Sequence, residues 1–285
     1  MKIGGHTKTF AILGHPVGHT LSPVMHNAAF EALEMDAVYV AFDVPPERLP
    51  EVLAGMRAMG FGGANITVPL KETACKLMTR LDESAQLLGA VNTVKFTPDG
   101  MIGYNTDGDG FLRAVEEAFG EPVAGKSVFV CGVGGAGRAV AVTCAGSGAR
   151  SIMLADTDRV RARKVLMEID TQFFTEVSMA EVSDDWERGA RAADLVVQAT
   201  PLGMKQDDAP PIGSAAFRRG QLVFDLVYLH PETPLMKSAK AVGARTANGL
   251  GMLLYQGVRA FEIWTGAKPP SEVMRKALEK AVYGK

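Results

Sequence analysis

The residues of this chain best suited to chemistry stand in three short runs within its first 110 positions. They are Gly14-His-Pro-Val-Gly-His-Thr-Leu-Ser-Pro-Val-Met-His-Asn27, Gly63-Ala-Asn-Ile-Thr-Val-Pro-Leu-Lys71, and Gly89-Ala-Val-Asn-Thr-Val94 with Gly103-Tyr-Asn-Thr-Asp-Gly108. Each closes a strand-like or helix-like stretch in a cluster of Gly, Pro, Ser/Thr and Asn. That is the composition of loop tips, where polar groups converge on a small ligand. Among them stand one lysine, Lys71, and one aspartate, Asp107, each flanked by hydroxyl and amide side chains. A lysine near a carboxylate can relay a proton. Read singly, Lys71 could be a solvated surface lysine, and Asp107 could cap a helix running from Gly108 to Phe119.

A fourth run points to a phosphate cradle. Gly132, Gly134 and Gly137 follow an apolar strand, Ser127 to Cys131, and open a helix that reaches about Ala145. This is the context in which G-x-G-x-x-G has physical meaning. The first glycine permits a tight turn, the second lets the backbone approach a pyrophosphate, and the third lets helix and strand pack closely. Unpaired N–H groups at the helix start then face the phosphates. About 20 residues on, Asp156 ends the next strand, where a carboxylate can accept from ribose hydroxyls.

Together these runs, in this order and over nearly the whole chain, resemble the shikimate dehydrogenase family. The resemblance implies hydride transfer between a ring carbinol of shikimate and NAD(P)+, giving 3-dehydroshikimate. Lys71 and Asp107 match the family's catalytic pair, with the proton transfer assigned to Lys71 and Asp107 holding it. Thr20 and Ser22 match the positions that bind the shikimate carboxylate, although serine is usual where Thr20 stands. Two hydroxyls before a helix N-terminus suit that group. Thr67 and Asn92 match contacts to ring hydroxyls, and Tyr228 and Gln256 complete the substrate set by resemblance.

The run Gly132-Val-Gly-Gly-Ala-Gly-Arg-Ala139 matches the family's cofactor loop, which brings Gly135, Ala136 and Arg138 into the cofactor set. Thr200, within Gln198-Ala-Thr-Pro-Leu-Gly-Met204, is expected alongside the nicotinamide ribose. Met252 is expected near the nicotinamide, with a plain core methionine as the alternative. Many members carry Asn-Arg-Thr after the second strand. This chain reads Ala155-Asp-Thr-Asp-Arg-Val-Arg-Ala162, similar to NAD-using quinate/shikimate dehydrogenases. NAD is therefore the expected cofactor, and NADP is possible if Arg159 or Arg161 meets its phosphate. Quinate or an amino analogue of shikimate is the closest alternative substrate. A non-catalytic, cofactor-sensing binding protein is the alternative of a different class.

The elements that must position these residues alternate. Thr9 to Leu13, Ala37 to Phe42 and Gly63 to Val68 read as strands. Pro23 to Leu33, with Ser22 as N-cap, and Arg48 to Met59 read as helices. A further helix starts at about Lys71. This rhythm predicts a small, mostly parallel sheet covered by helices. Ser151 to Ala155, Asp194 to Gln198 and Leu222 to Leu226 extend the second unit into a doubly wound, Rossmann-type domain. Helices follow from Leu250 and from Ser271 to Val282. The fold class is thus α/β. Residues 1–110 with the C-terminal helices 251–285 form the expected substrate domain, and residues 111–250 the dinucleotide-binding domain.

Bulk properties narrow the classes. The 285 residues are 47% apolar and 22% charged, with net charge −2, an ordinary globular composition with no field that calls for nucleic acid or a membrane. The densest basic stretch, Arg159 to Lys164, reads as a solvated helix face. Three unpaired cysteines argue against a disulfide framework or a zinc site and for a reducing, cytoplasmic location. His15, His19 and His26 have no metal-ligand spacing, so no metal is expected. The expected partner is a small-molecule substrate. A homodimer is compatible with this sequence.

Overall fold

The computed structural model describes residues 3–284 apart from Val182 and Gln206. In chain order the elements are β1 (Lys8–Gly14), α1 (Ser22–Ala32), β2 (Ala37–Asp43), α2 (Leu49–Ala58), β3 (Gly63–Ile66), α3 (Lys71–Leu77), β4 (Arg80–Leu81), α4 (Glu83–Leu88), β5 (Thr93–Thr97), β6 (Gly100–Tyr104) and α5 (Asp107–Phe119). They continue with β7 (Ser127–Cys131), α6 (Gly135–Gly146), β8 (Ser151–Ala155), α7 (Arg159–Gln172), β9 (Glu176–Met179), α8 (Ser183–Ala192), β10 (Leu195–Gln198), β11 (Leu222–Asp225), α9 (Pro234–Ala241), β12 (Arg245–Asn248), α10 (Leu250–Thr265) and α11 (Ser271–Tyr283). The described residues divide into two compact units. One runs to Gly110 and resumes at Leu254, and the other spans Phe111–Leu253.

The first unit is built on a sheet of order β2-β1-β3-β5-β6-β4. β1 pairs in parallel with β2 and β3, and β4 with β6, but β3–β5 and β5–β6 are antiparallel. The hairpin β5–β6 escapes the alternation read from sequence, because its strands lie next to one another without an intervening helix. β1 is buried on both faces. Ala11 and Leu13 meet Leu49, Leu53 and Met56 of α2 in one apolar layer. On the other face Phe10 stacks near Phe30 of α1 and Trp264 of α10, at centroid distances of 5.2 and 5.3 Å.

The second unit carries an all-parallel sheet of order β12-β11-β10-β7-β8-β9. β7, β10 and β11 are almost wholly buried, as strands covered by helices on both faces must be. The outer strands β9 and β12 are half-exposed and polar, so their sequences carry no apolar run to announce them. The strand order reverses between β7 and β10, and in open α/β sheets ligands gather beyond the strand ends at such a point.

Two local readings are corrected. Ser22 is not the N-cap of α1. That place belongs to Leu21, whose backbone is already near-helical (φ −101, ψ −1), and Ser22 is the first helical residue. The predicted strand from Gly63 ends at Ile66, because Thr67, with its N–H on Leu13 and its carbonyl on the Leu70 N–H, turns the chain toward α3.

His26 of α1 lies at the centre of the first unit's aromatic cluster. Its ring stacks on Tyr39 at 4.5 Å and 15°, with Trp264 at 5.4 Å and Phe261 at 6.3 Å. It is fully buried and neither ring nitrogen has a hydrogen-bond partner among the described residues. Burial lowers its pKa from 6.5 to about 3, because an imidazolium there would lose its water without gaining a counter-charge. The unfolded chain binds a proton at His26 below pH 6.5, whereas the folded chain resists it down to about 3. The stability contributed by neutral His26 is therefore complete above pH 6.5 and falls as the pH drops toward 3, by an amount on the order of 5 kcal/mol at the acid limit. We predict that His26→Phe, which keeps the stack, lessens the loss of melting temperature between pH 7.5 and pH 4. Equal acid sensitivity in the two proteins, measured by calorimetry, would sink this account.

Candidate active site

Lys71 is the first residue of α3, and its carbonyl accepts the N–H of Val91 at 3.0 Å, which ties α3 to the segment leading into β5. Asp107 is the first residue of α5. It is not the cap of that helix, since its own N–H donates to Asn105 Oδ1 at 3.0 Å. The carboxylate is thereby left for side chains. Lys71 Nζ donates to Asp107 Oδ2 at 2.6 Å, and Asn92 Nδ2 donates to Oδ1 at 2.8 Å. The lysine side chain is 27% exposed and the aspartate 14%. The pair is thus largely buried, with the lysine the more exposed partner.

Asn92 is held in turn. Its Oδ1 accepts from Thr93 Oγ1 at 2.9 Å and from the Thr106 N–H at 2.8 Å, and its Nδ2 also reaches Thr106 Oγ1 at 3.0 Å. Thr93 Oγ1 accepts from Asn65 Nδ2 at 3.0 Å, across the β3–β5 pairing that places the two residues opposite each other. Asn65 Oδ1 accepts the Tyr39 hydroxyl at 2.6 Å, reaching over β1 from β2. A continuous polar line therefore runs from Tyr39 through Asn65, Thr93 and Asn92 to the Lys71–Asp107 pair. At the start of α1, Thr20 Oγ1 donates to Ser22 Oγ at 3.3 Å.

Thr67 lies between β3 and α3, half-buried, and Gln256 is half-buried on α10 within the same unit. Asn105, Thr106, Thr93 and Tyr39 join this network beyond the residues the sequence motifs name. Asn105 and Thr106 sit beside Asp107 in a named motif and were findable, whereas Thr93 and Tyr39 read as ordinary strand residues.

In the second unit the glycine run wraps the end of β7. A Cβ on Gly137 would stand 1.9 Å from the Gly132 carbonyl oxygen, and one on Gly132 (φ +88) 2.7 Å from Thr200 Cγ2. No side chain fits either place, so the loop lies directly on the helix it opens. α6 begins at Gly135 and includes Ala136 in its first turn. Asp156, immediately after β8, clamps this loop. Its Oδ2 accepts the Val133 N–H at 2.7 Å, and its Oδ1 accepts the Asp158 N–H at 2.8 Å and Arg161 Nη2 at 2.7 Å. Burial would raise its pKa, but the bonds from Arg161, Val133 and Asp158 together outweigh that and hold the carboxyl below its usual range.

Gly132, Gly134, Asp156, Thr157, Arg161 and Thr200 line one cavity of about 520 Å³. Arg138 stands apart, in a two-pronged ion pair with Glu168 of α7 at 2.8 and 2.5 Å. Gln198, at the end of β10, bridges the carbonyls of Thr200 and Leu202 at 3.1 and 2.7 Å and so shapes the cavity's far wall. Asp225 ends β11, with its carboxylate accepting from Thr233 Oγ1 at 2.6 Å and from the Val227 N–H at 3.0 Å; burial pushes its pKa up to about 6. Val227 carries the chain into Tyr228, whose phenol burial also pushes upward. Met252 lies half-buried on α10, within the second unit.

The donor set can do proton chemistry and bind phosphate. A lysine bound to a carboxylate, ringed by neutral amides and hydroxyls, suits transfer of one hydroxyl proton. A backbone cradle that excludes Cβ atoms, at the start of a helix, suits a pyrophosphate. Among the described residues no group of three or more His, Cys, Asp or Glu converges as metal ligands, and no helix is long and apolar enough to cross a membrane.

Residues 12–94 match the model of the shikimate dehydrogenase substrate binding domain, and residues 249–279 that of the shikimate 5'-dehydrogenase C-terminal domain. A shikimate dehydrogenase (NADP(+)) of Methanopyrus kandleri is 44% identical over 98% of this chain and 97% of its own length. A solved shikimate dehydrogenase in complex with NADP+ is 40% identical, covers 99% of this chain and 98% of its own, and superposes with a TM-score of 0.90. A shikimate 5-dehydrogenase of Listeria monocytogenes, solved with shikimate and NAD, gives a TM-score of 0.92 at 34% identity, covering 98% of each chain.

The contact at the glycine loop has a measurable consequence. Gly137→Ala drives a methyl group into the Gly132 carbonyl, an overpacking that costs about 1–3 kcal/mol or more. The variant is expected to melt several degrees below wild type in a thermal scan, and an unchanged melting temperature would show that the loop can move aside freely.

Proposed function

Since the chain belongs to the shikimate dehydrogenase family, we propose that it catalyses the reversible oxidation of shikimate to 3-dehydroshikimate, with NAD(P)+ as hydride acceptor. The observation that carries this reading is the Lys71–Asp107 contact of 2.6 Å, braced by Asn92 in an otherwise neutral polar recess. In this reading the first unit binds the substrate and the second the dinucleotide.

Oxidation of a secondary alcohol releases a hydride from carbon and a proton from oxygen. The proton passes from the reacting hydroxyl to the lone pair of Lys71 Nζ in its neutral amine form, giving the ammonium, while Asp107 Oδ2 accepts a hydrogen bond from that nitrogen and holds it in place; reduction returns the proton along the same path. Asn92 keeps Asp107 from turning away. It already makes several contacts within the recess, so its approach to a ring hydroxyl would be shared with them. Thr67 offers a further hydroxyl at the recess. Thr20 and Ser22, at the start of α1, receive the substrate carboxylate, aided by the positive end of the helix. Tyr228 and Gln256 complete the substrate set.

The bound nicotinamide supplies the hydride acceptor. Gly132, Gly134, Gly135, Ala136 and Gly137 offer the backbone cradle for its pyrophosphate, Thr200 and Met252 the nicotinamide end, and Asp156 the ribose hydroxyls. Arg138, bound to Glu168, serves by bracing α6 against α7. NAD+ is the preferred cofactor in this reading, because the Asp156 and Asp158 carboxylates stand where a 2′-phosphate would approach. The supporting observation is that Arg161 is already neutralised by both, at 2.7 and 3.7 Å.

Two measurements follow. Lys71→Ala should lower kcat by roughly 10²–10⁴-fold with the dissociation constant of NADH little changed, and near wild-type turnover of shikimate would remove Lys71 from the mechanism. For the cofactor, kcat/KM for NAD+ and NADP+ should be compared at saturating shikimate. Wild type is expected to favour NAD+. Asp156→Asn, which keeps an acceptor for the Val133 N–H while removing the charge, should narrow the ratio. A wild type that favours NADP+ would mean that Arg161 leaves its carboxylates for the phosphate.

A further inference from the structure

Trp186 lines the same cavity as Gly132, Gly134 and Asp156, and Leu202 and Pro211 share its apolar character there. It is half-buried, packed against the apolar cluster that contains Ala155, Ala190 and Ile212 while it still borders the cavity. No other ring and no cation stacks on the indole among the described residues. A large flat ring therefore borders a cavity with no stacking partner from the protein.

Its position follows from the topology of the second unit. α8 joins β9 to β10, and both strands belong to the all-parallel sheet, so α8 runs back against the strands and begins at their carboxyl ends. The glycine loop follows β7 at that end, and Asp156 follows β8. Trp186 lies in the opening part of α8, three residues before Gly189. A Cβ on Gly189 would stand 2.3 Å from Met153 Sδ of β8 and 3.2 Å from the Phe129 ring of β7, so α8 lies close against the sheet. Residues three apart share a helix face. The close seat of Gly189 thus brings Trp186 to the sheet as well, at the end where the cavity lies.

A dinucleotide needs backbone N–H groups for its pyrophosphate, an acceptor for its ribose and a flat apolar surface for its base. The glycine run and Asp156 supply the first two in the reading above. Asp156 stands beyond β8, on the side of β7 away from β10, which is the adenosine side of such a sheet. Resting on that reading, we propose that Trp186 is the stacking platform for the adenine base and so a determinant of dinucleotide affinity. The indole offers a π face to a heteroaromatic ring, and a base stacked on such a face gains binding energy without any edge contact. Leu202 and Pro211 add apolar surface to the same cavity.

The test uses the full-length protein and ADP-ribose, which carries the adenosine half and the pyrophosphate but no nicotinamide. It does not absorb where tryptophan emits, so quenching reports contact and not energy transfer. The chain has two tryptophans, and the other, Trp264, belongs to the first unit. Saturating ADP-ribose should quench the emission of wild type and leave that of Trp186→Phe unchanged. Equal quenching in both proteins, or none in a wild type that binds ADP-ribose, overturns the proposal. By calorimetry, Trp186→Leu, which keeps apolar bulk without a ring, should raise the Kd of ADP-ribose and of NADH by the same factor, about tenfold or more. Trp186→Phe should stay within about threefold of wild type, since it keeps a ring. Leucine and phenylalanine variants weakened equally would show that Trp186 serves packing and not stacking. If Trp186→Leu does not fold, the quenching comparison decides alone. Wild type that binds NADH, with Trp186→Leu unaffected, refutes this inference alone. Wild type that binds neither NADH nor ADP-ribose refutes the dinucleotide reading and this inference with it.

Discussion

The carboxylate of Asp107 is held from two sides at once, by Lys71 Nζ at 2.6 Å and the Asn92 amide at 2.8 Å, and the first unit is arranged so that both can reach it. A buried polar side chain costs free energy unless its hydrogen bonds are made. Asn92 meets that demand by bonding Thr93, Thr106 and Asp107 together, which fixes the end of β6 and the start of α5 against the head of β5. The Val91 N–H bond to the Lys71 carbonyl then sets α3 in place. The reactive pair is a product of this closed circuit: moving any one member leaves a buried donor or acceptor unmatched.

The second unit solves a different problem by closeness of backbone. Gly137 and Gly132 approach so tightly that no side chain can intervene, and this brings the N–H groups of the loop to the mouth of α6. Asp156 then acts on both sides of its position. One oxygen clamps the Val133 N–H of the loop and the other gathers Asp158 and Arg161. The shape of the phosphate cradle and the charge that a ribose would meet are thus set by one carboxylate.

The apolar core and the polar recess of the first unit are not separate regions. Tyr39 packs its ring among His26 and Trp264 while its hydroxyl donates to Asn65, at the far end of the polar line that leads to Asp107. His26, which a survey of histidines would offer as a metal ligand or an acid–base group, is a neutral packing element between aromatic rings. His15, from the same motif, lies at the surface with its Nδ1 2.5 Å from Asp43. Residues of one type, close in sequence, have unrelated physical roles because His15 lies in the loop after β1 while α1 carries His26 into the core.

The sequence by itself determined the elements whose signal is local. β7, the glycine turn and α6 were legible because an apolar strand, a required backbone conformation and a helix start are all written in neighbouring residues. The motifs holding Lys71, Asp107, Thr20 and Ser22 were legible as polar clusters at strand and helix ends. Tertiary structure alone decided what those residues do to one another. The edge strands β9 and β12 carry no apolar run, and the β5–β6 hairpin breaks the helix–strand alternation, so none of them stood out. Asp107 became the first residue of α5 rather than its cap, and the cap of α1 went to Leu21, because a cap is fixed by backbone geometry that several neighbouring residues could satisfy. The Lys71–Asp107 contact, 36 positions apart in sequence, and the pairing of Tyr39 with Asn65 across an intervening strand are set by sheet order. Sheet order follows from how the whole chain buries its apolar faces, and no local run of residues encodes it.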